Sequence, residues 1–198
     1  SASLVVVGNH GRTGTSRLLL GSVAEHVARL ASCPVLIVPH GSDHPVAPGS
    51  AQFDRILCAV DFSDSSQQAL AYGLSLAAET KARVTVLNTI AMPPELREAP
   101  MSYELGEALR TRVVTSQAQR LAALIPEDVR QYCTVETSVV EGRASPEILR
   151  VATATQADLI VMGAQGRGAL ALALFGSNAQ DVVRRASCPV LLVRAAAA

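Results

Sequence analysis

The stretch GAQGRGALALALFGS, residues 163–177, decides the fold of this chain because an earlier stretch repeats its pattern. GNHGRTGTSRLLLGS, residues 8–22, carries glycines and a final serine at the same spacing, 155 positions earlier (163 − 8 = 155). The register continues without a gap over residues 4–38 and 159–193, and about half of the aligned residues are identical. A repeat of about one domain length indicates duplicated domains rather than a solenoid, whose repeats are a few tens of residues long.

The repeat therefore predicts one complete domain and part of another. Residues 53–195 form the complete copy, and residues 1–40 supply only the counterparts of its last two strands and the helix between them, a β-α-β unit. The segment GSDHPVAPGSAQ, residues 41–52, is rich in Pro, Gly and Ser and has no apolar periodicity. That composition is typical of a linker.

Length and composition narrow the class of protein. The chain has 198 residues, 49% of them hydrophobic, and no run of 18 apolar residues, so we expect a soluble globular protein and no membrane association. The formal net charge is zero and Lys81 is the single lysine, so no basic patch for nucleic acid is predicted. The four cysteines stand in or beside apolar runs without metal-ligand spacing, which favours a reducing, cytoplasmic location.

Apolar runs and amphipathic segments alternate along the complete copy. Strands are predicted at residues 55–60, 82–90, 132–140, 158–163 and 188–193, and helices at residues 65–80, 103–125, 145–156 and 176–186. Short strands separated by helix-length segments indicate right-handed crossovers and a parallel sheet with helices on both faces.

Two loops are suited to the ligand edge of such a sheet, where the strand order reverses at the carboxyl ends of the strands. Asp61 follows the first strand, and the glycine loop follows the fourth. Gly163 and Gly166 let the backbone approach a ligand, and Gly176 opens a helix whose free N–H groups favour an anion. A phosphate cradle is predicted, with a carboxylate opposite it suited to ribose hydroxyls or to magnesium.

With these loops the chain resembles the universal stress protein family. Nucleotide-binding members share the pattern Gly, two residues, Gly, nine residues, Gly, then Ser or Thr, which residues 163–177 and 8–22 both match. ILCAVDFS, residues 56–63, matches the first-strand signature of hydrophobic residues followed by Asp, any residue and Ser. The resemblance covers residues 53–195 and implies a five-stranded parallel sheet of order 3-2-1-4-5, flavodoxin-like or adenine nucleotide alpha hydrolase-like.

The resemblance also implies a binding site for ATP with Mg²⁺. Its residues would be Ala59 and Thr89 at the adenine, Asp61 at the ribose, Gly163 and Gly166 beside the sugar and α-phosphate, and Gly176, Ser177 and Asn178 at the β- and γ-phosphates. One departure from the family pattern is the nine-residue segment RGALALALF, residues 167–175, in which Arg167 is the only polar side chain. A surface segment this apolar more often contacts protein than ligand.

Alternatives to nucleotide binding remain at each residue. The glycines could simply close strand-to-helix turns, and Asp61 could be a carboxylate favoured by a helix dipole. Ser63 has no base beside it in the sequence, so no hydrolytic triad and no enzyme activity is predicted. The expected function is that of an ATP-binding stress-response or signalling protein, the alternatives being a nucleotide-free dimerisation module and, less favoured, a slow ATPase.

The partial copy predicts association. Family dimers and tandem domains commonly pair through their fifth strands, which implies that PVLIV, residues 34–38, lies antiparallel to PVLLV, residues 189–193, within one chain or between two. A unit of two strands and one helix cannot bury its own apolar surface. A homodimer or higher homo-oligomer is therefore expected.

Overall fold

The computed structural model describes most of both copies, in residues 2–9, 21–39, 53–91, 103–166 and 175–195. Three segments named in the sequence analysis lie outside the described residues: the linker at 41–52, most of the first glycine loop at 10–20, and most of the apolar segment, at 167–174.

The described residues alternate between strands and helices. The strands are β1 (Val5–Gly8), β2 (Val35–Val38), β3 (Arg55–Ala59), β4 (Arg83–Ile90), β5 (Thr134–Glu141), β6 (Leu159–Gly163) and β7 (Val190–Val193). The α-helices are α1 (Ser22–Leu30), α2 (Asp64–Thr80), α3 (Tyr103–Ala122), α4 (Ala144–Ala154) and α5 (Ser177–Arg185). A short 3-10 helix, Asp128–Gln131, precedes β5.

All the described strands belong to one sheet, in the order β1-β2-β7-β6-β3-β4-β5. Strands β3 to β7 pair in parallel, and in their own chain order they are arranged 3-2-1-4-5. The chain builds outward from β3 through β4 to β5, then returns to the other side of β3 with β6. The switch point of the sheet therefore lies between β3 and β6.

The two copies join through their fifth strands. Strand β2 pairs antiparallel with β7 of the same chain, with Leu36 opposite Leu191 at the centre of the pairing. Strand β1 pairs with β2 in parallel and forms one edge of the sheet, and β5 forms the other.

The core lies in two layers, one on each face of the sheet. Because successive strand residues point to opposite faces, Leu57 belongs to one buried cluster and its neighbour Cys58 to the other. Helices α1, α4 and α5 cover the first face, and α2 and α3 cover the second. All five residues of β6 are buried, as expected for a strand covered on both faces.

Several element boundaries differ from the sequence prediction by one to three residues, and three of them have a local cause. Helix α3 ends at Ala122 rather than at residue 125, because Pro126 disfavours helical geometry just before it and the last residues form turns. Helix α2 begins at Asp64, with Ser63 as the N-cap that accepts a hydrogen bond from the Ser66 N–H. Strand β5 begins at Thr134, since the 3-10 helix occupies the residues before it.

Candidate functional site

A cavity of about 650 Å³ opens at the carboxyl ends of β3, β4 and β6, at the switch point of the sheet. This volume is typical of small-molecule sites. The structure brings all eight predicted residues to its lining: Ala59, Asp61, Thr89, Gly163, Gly166, Gly176, Ser177 and Asn178. Other lining residues that sequence reasoning did not single out are Val60, Ser66, Leu87, Ala144, Ile148, Met162, Ala164, Gln165, Phe175 and Ala179.

One side of the cavity is apolar. Leu87, Ile148 and Met162 come from β4, α4 and β6, and all belong to the core cluster on that face of the sheet. Phe175 packs against the same cluster. A flat, apolar ring can be buried against this side. The sequence signal for Ile148 was only its position on the apolar face of a helix, which becomes informative once the sheet order is known.

The start of α5 also lines the cavity. Its N-cap is Gly176, which provides no side-chain hydrogen bond, and its first turn holds no acidic residue. The first helical hydrogen bond runs from the Gln180 N–H to the Gly176 carbonyl, so the preceding N–H groups have no partner within the helix. The positive end of the helix dipole therefore lines the cavity with no acidic residue in its own first turn.

The starts of three other helices carry a carboxylate. Helices α1, α2 and α4 carry Glu25, Asp64 and Glu147 in their first turns. Glu25 is the repeat counterpart of Gln180, since 25 + 155 = 180. The two copies thus share a glycine N-cap but differ by one charge at the helix start, and the copy that lines the cavity is the one without the carboxylate.

Asp61 is held in place by the turn that follows β3. Its Oδ1 accepts hydrogen bonds from the Ser63 N–H at 3.0 Å and from the Ser63 hydroxyl at 2.5 Å. Phe62, between them, adopts a left-handed conformation with φ of 65°. The buried Asn88 amide donates to the Val60 carbonyl at 2.8 Å and ties this turn to the end of β4. The carboxylate position is therefore fixed by both neighbouring strands.

The glycines bring the loops into close contact. A Cβ added at Gly163 would lie 2.6 Å from Ser65 Oγ and 2.9 Å from Ser66 N, so packing of β6 against α2 accounts for this glycine without any ligand. A Cβ added at Gly166 would lie 2.9 Å from Asp61 Oδ2. The glycine loop and the Asp61 turn are thus direct neighbours across the switch point.

Asp61 dominates the charge of the cavity. None of the lining residues that the structure describes is Lys or Arg. Across the described ranges, His, Cys, Asp and Glu form no group of three or more that could hold a metal ion. Magnesium is usually bound by one or two protein carboxylates together with substrate phosphates, so Asp61 fits the protein's share of such a site.

Cys58, Cys133 and Cys188 are buried in the core, Cys33 is half-buried, and none of the four lines the cavity. All four are free thiols. Burial is the main cause that raises the pKa of Cys58 to about 12 and that of Cys188 to about 11. At neutral pH these thiols stay protonated and act as small apolar residues, the role that their sequence context predicts.

The fold and this cavity together define a mostly parallel α/β protein with a cavity at the switch point of its sheet. The family model for the universal stress protein family matches residues 1–39 and 52–194. The chain belongs to this family. In the part of the chain that the structure describes, no helix combines the length and apolar character needed to cross a bilayer.

Two curated relatives show how far the similarity extends. The universal stress protein in the QAH/OAS sulfhydrylase 3′ region of Thermus aquaticus is 35% identical over 142 residues, covering 72% of this chain and 99% of the relative. A universal stress protein of Mycolicibacterium smegmatis is 30% identical over 198 residues, covering 98% of this chain. The chain spans 62% of the length of that second relative.

Two solved structures share the fold. A universal stress protein from Archaeoglobus fulgidus aligns with a TM-score of 0.65 and 24% identity, covering 98% of this chain and 61% of that one. A universal stress protein solved in complex with cAMP aligns with a TM-score of 0.50 and 23% identity, covering 73% of this chain and 99% of that one.

Proposed function

We propose that this chain binds an adenine nucleotide, ATP with Mg²⁺, in the cavity at the switch point, and that the bound nucleotide controls contact with a protein partner. The observation that carries the proposal is the start of α5, whose first turn has no acidic residue and which lines the same cavity as Asp61. An anion is favoured at a helix start of this kind, and hydroxyl groups are favoured beside a carboxylate.

The volume and the chemistry of the cavity suit the successive parts of a nucleotide, from the adenine through the ribose to the phosphates. The adenine lies against the apolar side, between Ala59 and Thr89 at the strand ends. The ribose lies at Asp61, and the phosphates extend to Gly176, Ser177 and Asn178. Apolar burial of the ring provides affinity, and the few polar groups orient the ligand.

Charge makes the proposed binding dependent on magnesium. Asp61 is negative and the described lining has no Lys or Arg, so the carboxylate would repel the phosphates of a nucleotide without a metal ion. A bound Mg²⁺ supplies positive charge that bridges phosphate oxygens to a carboxylate. We therefore expect ATP affinity to fall when Mg²⁺ is removed, and adenosine affinity to stay unchanged.

The proposed role is not catalytic. Hydrolysis of ATP requires a group that orients water at the γ-phosphate. The Ser63 hydroxyl donates to Asp61, and no described lining residue is a histidine. The nucleotide then acts as a ligand that shifts the population of conformations.

Calorimetry on two matched variants tests the binding proposal. Gln180→Glu places in α5 the carboxylate that α1 already carries, and Glu25→Gln makes the reverse change in the other copy. A carboxylate at a helix start interacts with the dipole by about 0.3–1 kcal/mol, so Gln180→Glu should weaken ATP binding by about two- to fivefold. Glu25→Gln should leave ATP affinity unchanged, and both variants should keep wild-type affinity for adenosine.

Wild-type protein that gives no binding signal with ATP and Mg²⁺ at millimolar concentration would refute the proposal. The nucleotide-free dimerisation module would then stand. Because one structural relative was solved with cAMP, competition between cAMP and ATP belongs in the same experiment. Tighter binding of cAMP than of ATP would replace the triphosphate with a cyclic monophosphate as the proposed ligand.

Exposure along β1 favours association in addition to nucleotide binding. Leu4 and Val6 are exposed large apolar residues at the edge of the sheet. We propose that a second copy of the chain covers this edge, which gives a homodimer. Sedimentation at micromolar concentration should give twice the mass of the chain. A monomer that does not change with concentration would contradict this proposal.

A further inference from the structure

Two serine hydroxyls join the Asp61 turn to the glycine loop. Ser63 Oγ donates to Asp61 Oδ1 at 2.5 Å, and Ser65 Oγ donates to the Gln165 carbonyl at 2.5 Å. The two hydroxyl oxygens lie 3.2 Å apart. Ser65 is only 4% exposed, so water does not easily replace these bonds. The result is a continuous chain of polar contacts between parts of the cavity that lie about one hundred residues apart in sequence.

The hydroxyls of Ser63 and Ser65 have fewer hydrogens to donate than this series of polar contacts has acceptors. Each hydroxyl has one hydrogen to donate, and both are used at the ends of the chain, on Asp61 and on Gln165. The contact between Ser63 and Ser65 therefore has no hydrogen of its own. If a ligand hydroxyl takes the place of Ser63 at Asp61 Oδ1, the Ser63 hydrogen becomes available to Ser65 Oγ at 3.2 Å, which is nearer than the other acceptor in reach, the Gln165 carbonyl at 3.5 Å.

That rearrangement strengthens the hold on the glycine loop. A hydroxyl that accepts a hydrogen bond becomes a better donor, since hydrogen bonds in a chain polarise one another. Ser65 would then hold the Gln165 carbonyl more firmly. The peptide between Gln165 and Gly166 is trans, so its N–H points away from its carbonyl, and Ser65 sets the direction of the Gly166 N–H.

The first turn of α2 provides a rigid base for this arrangement. Ser63 caps the helix by accepting from the Ser66 N–H, and Ser66 Oγ donates back to the Ser63 carbonyl at 2.9 Å. Gly163 packs directly on Ser65 and Ser66. Ser63 cannot move without disturbing the start of α2, and Ser65 cannot move without disturbing the end of β6. A change at Asp61 therefore passes to the glycine loop.

We infer that Ser65 is a positioning residue that couples the ribose contact at Asp61 to the glycine loop at the phosphate end of the cavity. This inference rests on the proposed function, since the hydroxyl that displaces Ser63 is that of a ribose. Its consequence is that a nucleotide with ribose hydroxyls engages the glycine loop better than one without them, beyond the direct contact of those hydroxyls.

Binding of ATP and of 2′,3′-dideoxy-ATP to three proteins tests the coupling: wild type, Ser65→Ala and Ser145→Ala. Ser145 is the matched control because it too is buried and second in its helix, in α4, but belongs to no part of this chain of contacts. We expect the ratio of ATP affinity to dideoxy-ATP affinity to fall by about threefold or more in Ser65→Ala, which corresponds to the free energy of one hydrogen bond. The ratio should be unchanged in Ser145→Ala, and Ser65→Cys, a weaker donor, should lie between. An unchanged ratio in Ser65→Ala would overturn the coupling.

Amide hydrogen exchange without ligand separates this inference from the proposed function. Loss of the Ser65 hydroxyl should speed exchange in residues 163–166 by about fivefold or more, by the same hydrogen-bond magnitude, and Ser145→Ala should leave that segment unchanged. If wild type binds no nucleotide but this difference is found, the proposed function fails and the positioning role of Ser65 stands. Equal exchange in all three proteins would overturn the positioning role whatever the protein binds.

Discussion

Three glycines of this chain should respond to the same substitution in three different ways. Gly163→Ala places a methyl group 2.6 Å from Ser65 Oγ and 2.9 Å from Ser66 N. The second of these atoms is backbone at the start of α2, which cannot move without breaking the helix cap. Gly166→Ala places its methyl group 2.9 Å from the carboxylate oxygen of Asp61, the end of a side chain. At Gly106, in α3, an added methyl group meets nothing within 4 Å.

The magnitudes follow from these contacts. Overpacking a rigid site costs about 1–3 kcal/mol, which we expect for Gly163→Ala. In a chain of this size that loss lowers the melting temperature by about 2–12 °C. Gly166→Ala should change stability by less than about 0.5 kcal/mol, because only Asp61 Oδ2 has to shift, while the two hydrogen bonds from Ser63 are made to Oδ1. Gly106→Ala should stabilise by about 0.5–1 kcal/mol, since alanine loses less conformational entropy in a helix.

Urea unfolding of the three variants measures these changes, and calorimetry with ATP separates folding from binding. Gly166→Ala should keep wild-type stability and lose ATP affinity, because it displaces the carboxylate proposed to face the ribose. Gly163→Ala should unfold at a lower urea concentration than wild type. If Gly163→Ala unfolds at the same urea concentration as wild type, the packing role assigned to this glycine is wrong. If Gly166→Ala is as unstable as Gly163→Ala, its role is structural too.

Two further predictions concern stability. Burial raises the pKa of Cys58 from its ordinary value of 9.0 to about 12. The unfolded chain therefore loses this proton at lower pH than the folded one. The free energy of unfolding should fall as pH rises from about 9 to 12. Urea unfolding at pH 8 and pH 10.5 checks this, and Cys58→Ala should show a smaller decrease. Asp158 Oδ2 accepts the backbone N–H groups of Asp54 and Arg55 at 2.8 and 3.1 Å, so Asp158→Ala should cost about 1.5–3 kcal/mol. Asp181→Ala, which removes only a surface pair with Arg185, should cost under about 1 kcal/mol, and equal losses would argue against the role of Asp158.

Most of the candidate site was predictable because it is built from loops at one edge of a parallel sheet. Once alternating strands and helices are recognised, Asp61 and the glycine loop must meet at the carboxyl ends of their strands, and the structure brings them there. The apolar side of the cavity was harder to predict. Ile148 lies on the apolar face of α4, where a residue that lines a cavity looks like any other core residue.

The contacts of individual atoms lay further beyond sequence reasoning. The spacing of Gly163 matches a ligand-binding loop, yet its neighbour in the structure is the first turn of α2. Ser65 shows nothing unusual in sequence, because its partner is a backbone carbonyl one hundred residues away. Patterns in a sequence report which face of an element is buried, but they do not report which atoms of two distant loops come within hydrogen-bond distance.

The repeat provides an internal control on how far sequence decides environment. Leu159 and Val161 in β6 are both 0% exposed, while their counterparts Leu4 and Val6 are 46% and 59% exposed. The local sequences are nearly the same, so the neighbours make the difference. Strand β6 lies between β3 and β7 and beneath α2, whereas β1 has only β2 beside it among the described strands. Strand β2, in contrast, gains its second neighbour from β7 by the antiparallel pairing, and Val35 is buried as a result. One pairing therefore satisfies the fifth strand of the partial copy but not its fourth, and the apolar edge that remains is the surface on which the proposed association depends.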